Sequence, residues 1–179
     1  AHEESGRSLV SKGFLDEFKS IANKNTALFK DVISKDAPLI GIEPTAILAF
    51  KDEYLRIADD KESAIETAKH CYTIEEFIQK EVTKNNIVSS QFSMEEKSIK
   101  IHGHCHQKAL IGLEPVFTML NLPKNYSVSI LTSGCCGMAG SFGYEKEKYA
   151  LSMKIGEDSL FPKIRNLNSE TIVATSGTS

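Results

Sequence analysis

The sequence predicts an α/β protein in two pseudo-repeated halves, each a short parallel sheet flanked by helices. Two observations carry this. From Ser98 onward, strand, helix, strand, helix and strand alternate, which implies parallel pairing through helical crossovers. A weak internal repeat also relates the two parts. Ser5-Gly6-Arg7-Ser8-Leu9, a long helix and a strand into Glu43-Pro44-Thr45-Ala46 parallel Cys136-Gly137-Met138-Ala139-Gly140, a helix and a strand into Gly177-Thr178-Ser179. The halves are set at 1–90 and 91–179, both Rossmann-like.

Taken in order, Ser8 to about Ile33 places Leu9, Val10, Phe14, Leu15, Phe18, Ile21 and Ala22 at helical spacing. The Asn23-Lys24-Asn25 cluster is expected to split this run into two helices. Pro38-Leu39-Ile40-Gly41-Ile42 reads as a buried strand. A helix follows with Pro44 in its first turn and Ile47, Leu48, Phe50, Tyr54, Leu55 and Ile57 facing inward. Asp59 to Lys69 is a charged surface helix, with Cys71 in the helix-to-turn segment after it. Thr73-Ile74-Glu75-Glu76 has the form of a capping box and starts a helix through about Val82. Asn85-Asn86 and the polar stretch to Lys97 form the connection between halves. A strand at Ile99 to His102 then leads into a helix from about Gln107 to Leu120, bent or interrupted at Pro115. Val128, Ile130 and Leu131 mark the next strand, a long helix runs from about Glu145 to Phe161, and Thr171 to Ala174 is the last strand.

At 179 residues the chain is long enough to bury a core, and 41% hydrophobic with 25% charged content is ordinary for a globular protein. A net charge of −3 leaves no basic footprint for nucleic acid. No apolar run reaches the roughly 20 residues of a membrane span, and no signal-peptide pattern opens the chain. Four cysteines are too few for a disulfide scaffold of this size and point to a reducing cytoplasm. The absence of an initiator methionine, and a last strand close to the final residue, suggest a fragment of a longer polypeptide.

The chemistry concentrates in two stretches, Gly134-Cys135-Cys136-Gly137-Met138-Ala139-Gly140-Ser141-Phe142-Gly143 and His102-Gly103-His104-Cys105-His106. Ligands gather beyond the carboxyl ends of the strands of an open parallel sheet. Cys105 and Cys135-Cys136 each follow such a strand, and Gly177-Thr178-Ser179 follows a third, so topology alone brings these stretches to one edge. Thiolates favour soft metals. Adjacent cysteines suit a single zinc poorly, since structural zinc spaces its ligands by two to four residues, and suit a polynuclear cluster better. The glycines around them, Gly134 and Gly137 above all, favour a loop that wraps a group. Cys105 near a helix N-terminus is expected to have a lowered pKa, with His104 or His106 as support for its thiolate. Against this stand inert packing of the thiols, for Cys71 the default reading, and a solvated helix face for Glu145 to Lys148.

These residues resemble the cysteine-rich "CCG" domain of iron–sulfur subunits of flavin-linked oxidoreductases. That family includes the iron–sulfur subunits of heterodisulfide reductase, anaerobic glycerol-3-phosphate dehydrogenase and glycolate oxidase, and the C-terminal part of fused FAD-linked oxidases of the D-lactate dehydrogenase type. The fused branch resembles this chain most, through His102 to Leu110, Gly134 to Tyr144 and Ile172 to Ser179. The resemblance implies a tandem of two halves holding an iron–sulfur centre, with Cys105, Cys135 and Cys136 as ligands. It implies electron relay from FAD in a neighbouring flavin domain, with a ferredoxin-like domain of the same polypeptide or complex and an electron acceptor as partners. The location implied is the cytoplasm or the inner face of the membrane. Glu4 and Ser5 stand where the family has a cysteine pair, and Ala46 where it commonly has a cysteine, so the first half is expected to hold no cluster. In the family the last signature runs on to a further cysteine, which leaves the second site incomplete in this sequence. Three alternatives stay open: a zinc-bound structural module, a thiol-based catalytic site at Cys105 (acting on a sulfur substrate, or as a hydrolase with a nearby His as base), and an interface that has lost its cofactor.

Overall fold

A computed structural model describes residues 3–177 of the chain. The chain divides into two compact units, Ala1–Phe77 and Ile78–Ser179. The division falls inside a helix, whereas the boundary read from the sequence, at 90/91, rests on the polar stretch that follows it.

In the first unit, α1 (Arg7–Lys12) and α2 (Leu15–Phe29) are separated at Gly13 and not at the asparagine cluster. Gly13 has φ 82° and its N–H closes onto the Leu9 and Val10 carbonyls, a left-handed cap that ends α1. Asn25 stays inside α2 because its amide is satisfied elsewhere. It donates to the Glu4 carbonyl at 3.0 Å and to Tyr54 Oη at 2.9 Å, while Tyr54 Oη donates to the Ser5 carbonyl at 3.0 Å.

Strand β1 (Leu39–Gly41) pairs in parallel with β2 (Cys71–Thr73), so Cys71 sits in a strand and not in a helix-to-turn segment. Three residues between two helices leave too little alternation to be read as a strand. Nor is β1 a buried strand, since Ile40 and Ile42 are exposed. Between the strands lie α3 (Pro44–Lys51), α4 (Glu53–Ile57) and α5 (Lys61–Ala68). Ile47, Leu48, Phe50 and Tyr54 are buried as expected, with Leu55 and Ile57 half-buried. Tyr54 packs its ring edge-on to Phe18, centroids 5.7 Å apart, and tilted on Phe50 at 4.4 Å. Helix α6 (Ile74–Thr83) opens on the capping box: Glu76 N–H donates to Thr73 Oγ1 at 3.2 Å, and Thr73 N–H to Glu76 Oε2 at 2.9 Å.

The second unit is built on a parallel sheet in the order β4 (Tyr126–Ile130), β3 (Lys97–Ile101), β5 (Thr171–Ala174). Ile99 and Ile101 on the central strand are buried. The expected single helix after β3 is two, α7 (Cys105–Leu110) and α8 (Glu114–Leu120). Gly112, at φ 77°, breaks the run, and Pro115 sits in the first turn of α8, where its missing N–H costs nothing. Helix α9 (Tyr149–Arg165) begins four residues later than expected, so Glu145 to Lys148 forms a turn before it and not a helix face.

Candidate metal centre

Strand register decides where the cysteine stretches begin. Beyond the paired residues, Leu131 N–H donates to the Ile101 carbonyl and His102 N–H to the Ala174 carbonyl, both at 2.8 Å. The three strands therefore end level, and Gly103-His104-Cys105, Thr132 to Cys136 and Thr175 to Gly177 all leave the same edge. This is the arrangement expected from the topology; Thr178 and Ser179 lie outside the described residues.

Cys105 is the first residue of α7, capped by His104, whose Nδ1 accepts the Gln107 N–H at 3.3 Å. Its thiol feels both Cys135 and Cys136 electrostatically. The thiol pKa is raised, opposite to the expected lowering at a helix start. Although Cys105 is exposed at the surface, partial desolvation of its sulfur is the main cause, Lys108 opposes it, and the neighbouring thiols add to it. Cys71 is fully buried and its pKa is pushed to about 12 by burial; its sulfur donates to the Thr67 carbonyl at 3.3 Å, consistent with packing.

In the double-cysteine loop the backbone turns onto its own sulfurs. Gly137 N–H donates to Cys135 Sγ at 3.3 Å and Met138 N–H to Cys136 Sγ at 3.5 Å. Amides directed at sulfur favour thiolates and tune the potential of a thiolate-bound centre. Among the described residues the three sulfurs do not all lie within 4.8 Å of one another. A tetrahedral zinc with Zn–S of about 2.3 Å would hold thiolates roughly 3.8 Å apart. The three sulfurs are thus not gathered closely enough to share one such ion as they stand.

Gly137 is held at φ 90°, and a Cβ there would stand 2.1 Å from the Ser152 carbonyl oxygen. Gly134 N–H donates to Ser159 Oγ at 2.7 Å, and a Cβ on Gly156 would meet the Cys136 carbonyl at 2.9 Å. The loop thus lies along one face of α9 made of Ser152, Gly156 and Ser159. Those three were missed in the sequence, although small residues at i, i+4 and i+7 of a helix are a readable sign of close backbone approach. His102, buried, places Nδ1 2.9 Å from Ser133 Oγ, and Lys163 Nζ donates to the Thr132 carbonyl. His104 is buried in its capping role, while His106 is half-buried.

Neither a family model nor a solved structure matches the chain. Several curated proteins do, along nearly all of it. It is 24% identical to D-2-hydroxyglutarate dehydrogenase of Haemophilus influenzae over 184 residues, which cover 95% of this chain and 17% of that protein. It is 23% identical to the enzyme of the same name from Escherichia coli, covering 95% of the chain and 16% of the relative. One subunit of the anaerobic glycerol-3-phosphate dehydrogenase of Escherichia coli is 23% identical, over 94% of this chain and 41% of its own length. The chain is a distant relative of these dehydrogenase proteins. The resemblance read from the cysteine stretches therefore holds, and the chain spans less than half the length of each of these three relatives. Among the described residues no helix is long and apolar enough to cross a membrane.

Proposed function

We propose that this chain is the cysteine-rich electron-transfer domain of an FAD-linked oxidoreductase, with Cys105, Cys135 and Cys136 as ligands of an iron–sulfur centre. The observation that supports the reading is that the connections carrying the three cysteines leave one sheet edge, with Cys135 and Cys136 sulfurs accepting backbone N–H groups. When bound, such a centre takes up and releases single electrons. The chain's own residues supply the rest. Gly137 and Met138 amides stabilise charge on sulfur, His104 fixes the start of the helix that carries Cys105, and Ser133 and His102 join the two cysteine-bearing connections.

The relatives' names supply the wider setting. D-2-hydroxyglutarate is a 2-hydroxy acid, so the proposed whole enzyme oxidises a substrate of that class at a flavin held outside this domain. The domain passes the electrons, with a ferredoxin-like domain, to an acceptor in the cytoplasm or at the inner membrane face. The first unit, with Glu4, Ser5 and Ala46 in place of cysteines, is a degenerate copy of the second and holds no centre.

Iron and acid-labile sulfide analysis with a visible spectrum, on the full native chain purified anaerobically, tests this. The expected result is iron with sulfide and broad absorption that both Cys135→Ser and Cys136→Ser abolish. Stoichiometric zinc without colour, or a well-folded protein free of iron, would overturn it.

A further inference from the structure

We infer that Ser159 is a positioning residue for the paired thiols, and that α9 acts as the template on which the double-cysteine loop is shaped. The inference deepens the proposed reading and rests on it for its functional meaning, but its geometry stands by itself. Three independent contacts tie the loop from Gly134 to Gly137 to one helix face. Gly134 N–H donates to Ser159 Oγ, the Cys136 carbonyl lies against Gly156, and Gly137 lies against the Ser152 carbonyl. Loop and helix therefore run in opposite directions, with Gly134 at Ser159 and Gly137 at Ser152. The two close approaches require glycine, because a Cβ at Gly137 or Gly156 would fall inside the neighbour's van der Waals shell.

Only one of the three is a directional bond. Van der Waals contact at Gly156 and Ser152 sets how near the loop comes. The Ser159 hydroxyl, an acceptor 2.7 Å from the Gly134 nitrogen, fixes where along the helix the loop starts. Cys135 and Cys136 follow at once, and the amides that reach their sulfurs belong to Gly137 and Met138. Losing the Gly134–Ser159 bond releases the start of that turn, so both sulfurs lose their fixed position. Cys105 stands on α7 with its own His104 cap, so its backbone position does not depend on the bond, although its thiol feels Cys135 and Cys136.

The test uses the full native chain, stripped of metal under anaerobic conditions, and follows alkylation of each cysteine by iodoacetamide with mass spectrometry. In Ser159→Ala, the alkylation rates of Cys135 and Cys136 are expected to change by about fivefold from those of the wild type, the population change that a hydrogen bond of ordinary strength controls. Ser159→Thr keeps the hydroxyl and should restore the wild-type rates. Unchanged rates in Ser159→Ala would overturn the inference, as would a rise common to Cys105 and buried Cys71, since that reports loosening of the whole fold. Iron content of the untreated wild type is read separately. A protein without iron sinks the electron-transfer reading and leaves the alkylation rates to decide this one.

Discussion

Nδ1 of buried His102 lies 2.9 Å from the hydroxyl of Ser133, and this pair joins the exit of β3 to the exit of β4. The two residues are three and two positions before Cys105 and Cys135, so the bond spans the roots of both cysteine stretches. Burial lowers the His102 pKa from its ordinary value near 6.5, and Lys108 adds to the effect. The neutral ring is therefore the folded form. The unfolded chain binds the extra proton first, and stability is lost as pH falls below about 6.5. Chemical denaturation of the metal-free chain between pH 5 and 8 should show this slope, and His102→Gln should flatten it. An identical slope in the variant would show that His102 is not its source.

Gly137 and Gly140 both have positive φ, yet their surroundings differ. A Cβ at Gly137 meets the Ser152 carbonyl at 2.1 Å, whereas at Gly140 nothing lies within 4 Å. Gly140→Ala should cost only the backbone strain, about 1 kcal/mol. Gly137→Ala carries the same strain plus displacement of the loop from α9, and should cost more than about 2 kcal/mol. Thermal melts of the two variants decide the point, and equal losses would contradict the close approach.

Cys105 is held above its ordinary pKa by burial, with Cys135 and Cys136 contributing and Lys108 opposing. The pH midpoint of Cys105 alkylation in metal-free protein should fall in the Cys135→Ser, Cys136→Ser double variant. In Lys108→Ala it should rise. A rise in the double variant would place the thiols apart, and a fall in Lys108→Ala would place the lysine away from Cys105.

In the first unit, Tyr54 Oη donates to the Ser5 carbonyl and accepts from Asn25 Nδ2. Its pKa rises from 10.0 to about 12, chiefly through burial. Since the unfolded chain ionises first, stability is full below pH 10 and is lost between pH 10 and 12. Tyr54→Phe should remove that alkaline loss and cost about 1–2 kcal/mol at pH 7, mainly by leaving Asn25 short of a partner. Urea unfolding at pH 7 and at pH 11 measures both effects.

Elements with strong local signals are where the sequence places them. The capping box at Thr73 and Glu76, Pro44 at the start of α3 and the apolar strand Thr171–Ala174 each announce themselves within a few residues. The failures have one form, a local signal outweighed by a distant partner. Asn25 reads as a helix breaker, but Glu4 and Tyr54 satisfy its amide. Strand β2 is invisible until β1 pairs with it. The helix-start argument for Cys105 omits the desolvation and the two thiols that reverse its sign.

The edge on which the cysteine stretches lie could be read from the order of strands and helices alone. Parallel strands send every following loop to their carboxyl ends, whatever the side chains. How the sulfurs are held there follows from tertiary contacts, the amides of Gly137 and Met138 and the α9 face of Ser152, Gly156 and Ser159. The α9 contacts join residues far apart in sequence at distances of a few ångströms, whereas the two amide–sulfur bonds are local to the turn that those contacts hold. Hydrogen-bond direction and atomic overlap act on that scale, and local periodicity does not carry it.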